Sequence, residues 1–259
     1  MKETLKLALI QAPLEWENPA ANRAYFSGKI SSISENVDLV ILPEMFTTGF
    51  TMNAAPNAET MDGPTVKWMK TLAKEKNIAI TGSVIIQENE SYFNRMLFVT
   101  FEGVIGKYDK RHLFTLAKEE RTYSPGKEKV IIDYKGWNIC LMVCYDLRFP
   151  VWSRNVEGYD LLIYVANWPK ARVNAWDILL QARAVENMAY CAGVNRVGVD
   201  GDGYEYVGHS AVYDVLGKLI SNSLPEEEII KIVSIEKEPL HKIRKQLKFL
   251  NDKDEFKLV

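Results

Sequence analysis

The chain has 259 residues, with 32 Lys+Arg against 34 Asp+Glu, a formal charge of −2. That balance gives no net basic field to draw in nucleic acid or an anionic membrane. With 47% hydrophobic and 25% charged residues, wholesale disorder is excluded, and the length supports a large core without disulfides or metal. The start does not read as a signal peptide, because Lys6 interrupts its apolar stretch. The longest apolar run, Ile139 to Tyr145, falls far short of the roughly 18 residues of a membrane span. Cys140, Cys144 and Cys191 are odd in number and lack CxxC spacing, so no disulfide framework is expected and a soluble cytoplasmic protein is. On one strand Cys140 and Cys144 would lie about 13 Å apart, too far to share a zinc ion at about 2.3 Å.

Short β-rich runs alternate with helical patterns along the chain. Leu5–Gln11 reads as a strand, Asn18–Ser34 as a helix opened by Asn18-Pro19, and Asp38–Leu42 as the next strand. A helix is expected over Pro64–Lys76, with Val66, Met69 and Ala73 on one face. Ile78–Ile86 and Tyr92–Phe101 flank a polar turn and read as a hairpin, followed by strand Val104–Tyr108. Further strands are expected over Lys129–Asp133, Trp137–Val143, Asp160–Ala166 and Tyr190–Val199. Arg172–Ala189 carries a helical stripe of Val173, Trp176, Leu180, Ala184 and Met188. Asp200-Gly201-Asp202-Gly203 reads as a hairpin turn; as a calcium loop it would need Gly at Glu205 and Glu at Ala211. The charge-dense tail holds a strand over Ile229–Ile235 and a helix over Pro239–Leu250, expected to pack on the outside or on a partner subunit. No internal boundary is visible. The expectation is one α/β domain over residues 1–259, with its core at about 5–235 and a tail from 236.

Three strand candidates stop abruptly on a polar residue: Leu39–Leu42 before Pro43-Glu44, Ile139–Val143 before Cys144, and Leu161–Ala166 before Asn167. Uninterrupted apolar runs imply strands buried on both faces, and in such sheets ligands bind beyond the carboxyl ends. Glu44, Cys144 and Asn167 therefore converge on one crevice in this reading. A thiol at a strand-to-helix turn sits near backbone N–H groups that lower its pKa and cradle an oxyanion. A carboxylate beside it serves as general base and then acid. Cys140 and Cys191 read as core residues. Lys110 lies in the basic cluster Lys107–His112, which by itself reads as a solvated face, and Lys107 and Arg111 keep that reading.

Leu42-Pro43-Glu44, Lys110-Arg111-His112-Leu113-Phe114 and Cys144-Tyr145-Asp146-Leu147-Arg148-Phe149-Pro150, spaced by 66 and 34 residues between Glu44, Lys110 and Cys144, resemble the three catalytic blocks of the nitrilase (carbon–nitrogen hydrolase) superfamily. The similarity extends through Tyr123-Ser124-Pro125-Gly126 and Ala182–Asn187. Cys144–Asn155, Ala166-Asn167-Trp168-Pro169 and Asn195–Gly198 are most similar to the bacterial omega-amidase branch. The resemblance implies a nitrilase-like α-β-β-α sandwich, paired as a homodimer or larger homo-oligomer. It further implies Cys144 as nucleophile, Glu44 as general base, Lys110 as stabiliser of the tetrahedral intermediate and Glu119 as second glutamate, with Glu120 the neighbouring alternative.

The implied reaction needs no cofactor and no metal, only an amide and water. Substrates implied by the omega-amidase likeness are monoamides of 2-oxo dicarboxylic acids, 2-oxoglutaramate and 2-oxosuccinamate. Tyr145 supplies a backbone N–H to the oxyanion, and Asn167 and Trp168 line the pocket, although Trp168 also suits the core. Arg148 suits the substrate carboxylate, or else a structural salt bridge holding the turn. Many relatives continue the third block as Pro-Glu, whereas this chain has Pro150-Val151, which weakens any transfer of pocket detail. Rival readings are a nitrile or N-carbamoyl amide substrate, a Cys–His hydrolase using His112, His209 or His241, and a non-catalytic nitrilase-like binding module.

Overall fold

The apolar runs fold as strands buried on both faces. The computed structural model describes residues 2–222, 226–254 and 256. In chain order it contains β1 (Thr4–Gln11), α1 (Pro19–Ser31), β2 (Leu39–Ile41), α2 (Ala54–Asn57), α3 (Pro64–Lys76), β3 (Ala79–Glu88), β4 (Ser91–Thr100) and β5 (Gly103–Asp109). These are followed by β6 (Ile131–Tyr134), β7 (Trp137–Val143), α4 (Pro150–Ser153), β8 (Leu161–Ala166), α5 (Val173–Asn187), β9 (Tyr190–Asn195) and β10 (Val197–Val199). The last elements are β11 (Glu205–Val207), β12 (Ala211–Tyr213), β13 (Ile229–Glu236) and α6 (Lys237–Leu247).

Two mixed sheets result, one in the order β13-β1-β2-β3-β4-β5 and the other in the order β12-β9-β8-β7-β6. Strands β1, β2 and β3 run parallel, as do β7, β8 and β9. The period of two places Leu5, Leu7 and Leu9 of β1 in the core shared with Leu141 and Val143 of β7. Ala8 and Ile10, on the opposite face, join Phe26 of α1 and Val66, Met69 and Ala73 of α3. Trp176, Leu180 and Ala184 of α5 pack on the second sheet. The layers are therefore helix, sheet, sheet, helix, as the resemblance implied.

Three expected elements differ in a way that has a physical cause. Tyr190–Val199 is two strands: β9 pairs with β8, and β10 pairs with β11 across the Asp200–Gly203 turn. The break falls at Arg196 because the Asn195 side chain replaces the ladder, accepting from Trp168 N at 2.8 Å and donating to Trp168 O and Gly208 O, each at 2.9 Å. Helix α1 stops at Ser31, where Ser32 turns its hydroxyl onto Lys29 O at 2.8 Å. Helix α6 begins two residues before Pro239, which is tolerated in a first turn, and ends where Lys248 adopts φ +56°.

The tail is part of the body. Strand β13 pairs antiparallel with β1 along its whole length, and Leu240 of α6 is fully buried. Arg244 donates to Met188 O, Asp160 Oδ1 and Tyr159 O. No helix among the described residues is long and apolar enough to cross a membrane.

Candidate active site

Strand β2 of the first sheet and the neighbouring parallel strands β7 and β8 of the second lead into residues that meet. Glu44, fully buried, accepts from Asn167 N at 2.8 Å through Oε2. The Asn167 amide donates to Glu44 O at 2.7 Å, and Cys144 Sγ lies 4.0 Å from Asn167 O. The expected convergence of Glu44, Cys144 and Asn167 is thus present. The chain leaves β2 sharply at Met45 (φ +43°), whose N–H bonds Ser83 Oγ at 2.8 Å. Cys144 also takes a left-handed backbone, φ +44°, which costs a side-chain-bearing residue about 1–2 kcal/mol. Asp146 holds that turn, because its carboxylate accepts from Val143 N (3.0 Å), Tyr108 OH (2.7 Å) and His112 N (2.9 Å). His112 Nδ1 lies 2.8 Å from the same carboxylate.

Lys110 and Glu119 arrive from the other side. Lys110 follows the antiparallel strand β5 and is anchored by its N–H to Asn94 O at 3.0 Å. Its ammonium reaches Glu44 Oε1 at 2.9 Å and both oxygens of Glu119 at 2.9 and 3.0 Å. Glu119 also accepts from Phe114 N at 2.6 Å and is fully buried, whereas Glu120 is exposed and faces Arg121. Between the two candidates, the geometry places Glu119 inside. Gly126 of the Tyr123–Gly126 segment presses against this loop: its N–H bonds Lys110 O at 2.9 Å, and an added Cβ would come within 2.0 Å of Asp109 O.

The site carries two carboxylates and one ammonium, all buried, and one thiol on the half-buried Cys144. Burial raises the pKa of the Cys144 thiol well above its usual value, and the Glu44 charge adds to this, against Lys110. Burial also raises Glu119, with Glu44 adding and Lys110 opposing. Burial alone would lower the Lys110 ammonium, but Glu119 and Glu44 more than reverse it and lift it above its ordinary range. Lys110 therefore stays charged, and Cys144 rests as a thiol.

Lys110 and Cys144 line a cavity of about 460 Å³ together with Tyr145, Arg148, Asn167 and Trp168, while Glu44 and Glu119 lie behind that wall, reached through Lys110. The Tyr145 ring packs edge-on between Phe114 and Phe149 at 5.0 and 5.1 Å. Trp168 is 3% exposed and packs on Trp176 at 5.6 Å, so it belongs to the core as well as to the wall. Arg148 holds no salt bridge among the described residues; it lies over the Trp168 ring at 5.0 Å. Arg111 departs from a purely solvated role, bonding Gly126 O at 3.1 Å and lying over Trp152, while Lys107 is exposed. Cys140 and Cys191 are buried in the core. None of the three histidines bonds Cys144: His112 is stacked on Phe149 at 3.7 Å, His209 bonds Asp177 at 2.9 Å, and His241 is exposed.

Sequence reasoning missed Asn94, which donates to Glu44 Oε1 at 2.7 Å; its one signal is a buried amide just before the apolar stretch Met96–Val99 of β4. It also missed Arg172, which shares the cavity wall.

The sequence model of the carbon-nitrogen hydrolase family matches residues 6–245. The chain belongs to that family. Omega-amidase YafV of Yersinia enterocolitica is 44% identical over 256 residues, 99% of each chain. The 2-oxoglutaramate amidase of Bacillus subtilis is 32% identical over 230 residues, 87% of this chain and 88% of that one. The crystal structure of XC1258 from Xanthomonas campestris, a CN-hydrolase superfamily protein with an arsenic adduct in its active site, superposes with a TM-score of 0.96 at 44% identity, covering all of both chains. This carbon–nitrogen hydrolase is accordingly an enzyme acting on amide C–N bonds.

Proposed function

We propose that the enzyme is an omega-amidase, hydrolysing the terminal carboxamide of 2-oxo dicarboxylic acid monoamides such as 2-oxoglutaramate and 2-oxosuccinamate through a thioester on Cys144. The observation that carries the reading is the buried contact of Lys110 with both Glu44 and Glu119, behind the wall of the cavity that Lys110 and Cys144 line. In this mechanism Glu44 takes the thiol proton as Sγ attacks the amide carbon. The oxyanion is met by the Lys110 ammonium and by Tyr145 N–H, which opens a 3₁₀ turn where the first amides have no intrahelical partner. Glu44 then returns the proton to the amide nitrogen, the C–N bond breaks, and ammonia leaves a thioester. Water attacks that thioester, giving its proton to Glu44; the C–S bond breaks, the acid departs, and Glu44 reprotonates the sulfur. Glu119 keeps Lys110 aimed and charged throughout.

The free thiol that this chemistry requires accords with a reducing cytoplasm. A homodimer belongs to the same proposal: Ile178 and Val185 are exposed on one face of α5, beside exposed Leu216. Sedimentation of the purified chain tests it.

The deciding experiment measures ammonia release from 2-oxoglutaramate, 2-oxosuccinamate, glutamine, a nitrile and an N-carbamoyl amino acid, with intact-mass detection of an acyl adduct. Turnover is expected to be fastest on the two oxo-amides, with the adduct lost in Cys144→Ala. Faster turnover of glutamine, the nitrile or the N-carbamoyl compound overturns the substrate reading. Turnover without any adduct at Cys144, or abolished by alanine at the three histidines but not at Glu44, overturns the mechanism.

A further inference from the structure

Two guanidinium groups line the cavity that holds Cys144, and neither has a hydrogen-bond or ion-pair partner among the described residues. Arg148 lies over the Trp168 ring at 5.0 Å and Arg172 over the Phe114 ring at 5.2 Å. Both platforms are fixed by the site itself. Trp168 donates through Nε1 to Arg172 O at 2.7 Å, and Phe114 N–H holds Glu119. A guanidinium stacked by its face keeps its N–H edge for a planar anion, and carboxylates accept that fork bidentately. Asp202, exposed at the same rim, forms no ion pair with either arginine.

The two are not equivalent. Arg148 is exposed, so its field is screened by water and salt. Arg172 is half-buried, and its backbone is held at both ends, by its N–H to Pro169 O at 3.0 Å and by its carbonyl to Trp168. A half-buried cation without a counter-charge is a site where a bound anion replaces lost hydration.

We propose that Arg172 is the specificity-determining residue of this amidase, binding the carboxylate at the far end of the substrate while Arg148 adds attraction from the rim. This rests on the reading that the substrate carries a carboxylate, and it deepens that reading by assigning the group that recognises it.

The test compares the monoamide of glutaric acid with pentanamide, a neutral amide of equal length, in wild type, Arg172→Met, Arg172→Lys and Arg148→Met. The expected result is that Arg172→Met lowers the kcat/KM ratio of the monoamide over pentanamide about 10- to 100-fold, the range of a lost charged hydrogen-bond pair. The fall is expected in KM more than in kcat, with partial recovery in Arg172→Lys and a smaller, salt-sensitive effect in Arg148→Met. Glutarate should inhibit pentanamide hydrolysis by the wild type and lose potency in parallel. A merely structural Arg172 lowers both substrates alike and leaves the ratio unmoved, which overturns the assignment. A wild type indifferent to the carboxylate overturns the carboxylate reading itself, whereas a wild-type preference that survives Arg172→Met overturns only the role of Arg172.

Discussion

The charge balance inside the site makes a quantitative prediction about Lys110→Met. Methionine matches the lysine stem in length and apolar character, so the change removes chiefly the ammonium. What disappears is three contacts of 2.9–3.0 Å, and what remains is two fully buried carboxylates that shared one cation. Removing one partner of a buried pair costs about 3–5 kcal/mol. At about 2–4 °C per kcal/mol for domains near this size, the melting temperature should fall by roughly 6–20 °C. Adding Glu119→Gln removes one of the two like charges. Glu44 then keeps the Asn94 amide and Asn167 N–H as donors, at 2.7 and 2.8 Å, and the amide oxygen introduced at position 119 accepts from Phe114 N. The double variant should therefore be more stable than Lys110→Met alone, by about 2–3 kcal/mol of coupling.

The sign of the pH dependence follows from Glu119. Its folded pKa is already raised by burial and by Glu44, and the loss of Lys110 removes the chief opposing charge. A carboxyl raised in the folded state contributes stability below its unfolded pKa and loses it as pH rises through the folded value. The deficit of Lys110→Met relative to wild type should accordingly widen from pH 5 to pH 8. Calorimetric unfolding of the four proteins of the cycle at both pH values measures this. A double variant no more stable than Lys110→Met, or a deficit that shrinks at pH 8, refutes the charge-balance argument.

Neutralising Glu44 as Glu44→Gln should lower the pKa of Cys144, since the Glu44 charge helps raise it; iodoacetamide alkylation near pH 7 should speed up while amide turnover is lost, and slower alkylation contradicts the electrostatic argument. Asn94→Leu removes the donor 2.7 Å from Glu44 Oε1 and should reduce kcat about 10- to 100-fold with little change in KM; steady-state kinetics decide it. Gly126→Ala drives a Cβ into Asp109 O, 2.0 Å away, and should destabilise the fold by about 1–3 kcal/mol, read from denaturant midpoints at unchanged m-value. Asp146→Asn presents an amide N–H₂ to a position now surrounded by donors from Val143, Tyr108 and His112. It should cost about 3 kcal/mol or more, read from denaturant midpoints.

How far the sequence reveals the site depends on whether a residue's neighbours are local. Glu44, Cys144 and Asn167 stand out because each ends an apolar run, and burial on both faces leaves a polar residue only the carboxyl edge of the sheet. Lys110 and Glu119 lack that contrast. Lys110 follows an amphipathic strand within a cluster of basic residues, and Glu119 sits in Lys118-Glu119-Glu120-Arg121, a run that reads as solvated. Only their motifs mark them. Their burial is decided by long-range partners: Asn94 O fixes the Lys110 backbone, and Lys118 in a left-handed conformation (φ +59°) opens the turn that carries Glu119 inward while Glu120 stays outside. The split of Tyr190–Val199 is hidden for the same reason. Every residue there suits a strand, and the interruption comes from Trp168, whose backbone captures the Asn195 side chain.

The near-neutral total also conceals a division of charge that bears on how a substrate enters. With both carboxylates ionised, Glu44 and Glu119 outweigh Lys110 by one negative charge in the depth of the site, while the guanidiniums of Arg148 and Arg172, without an ion-pair partner among the described residues, stand on the wall nearer solvent. An anionic amide is therefore drawn to the opening and repelled from the floor by its own carboxylate. Its neutral carboxamide meets no such barrier. The same two charge layers that attract the ligand thus set its direction, carboxylate outward and amide toward Cys144. A product with a carboxylate at both ends gains nothing from reversal, because either end offered to Glu44 and Glu119 costs the repulsion that the amide avoids. On this argument the free dicarboxylic acid produced by hydrolysis is a poorer occupant than the monoamide, and discrimination between substrate and product comes from the floor, while discrimination between anionic and neutral amides comes from Arg172.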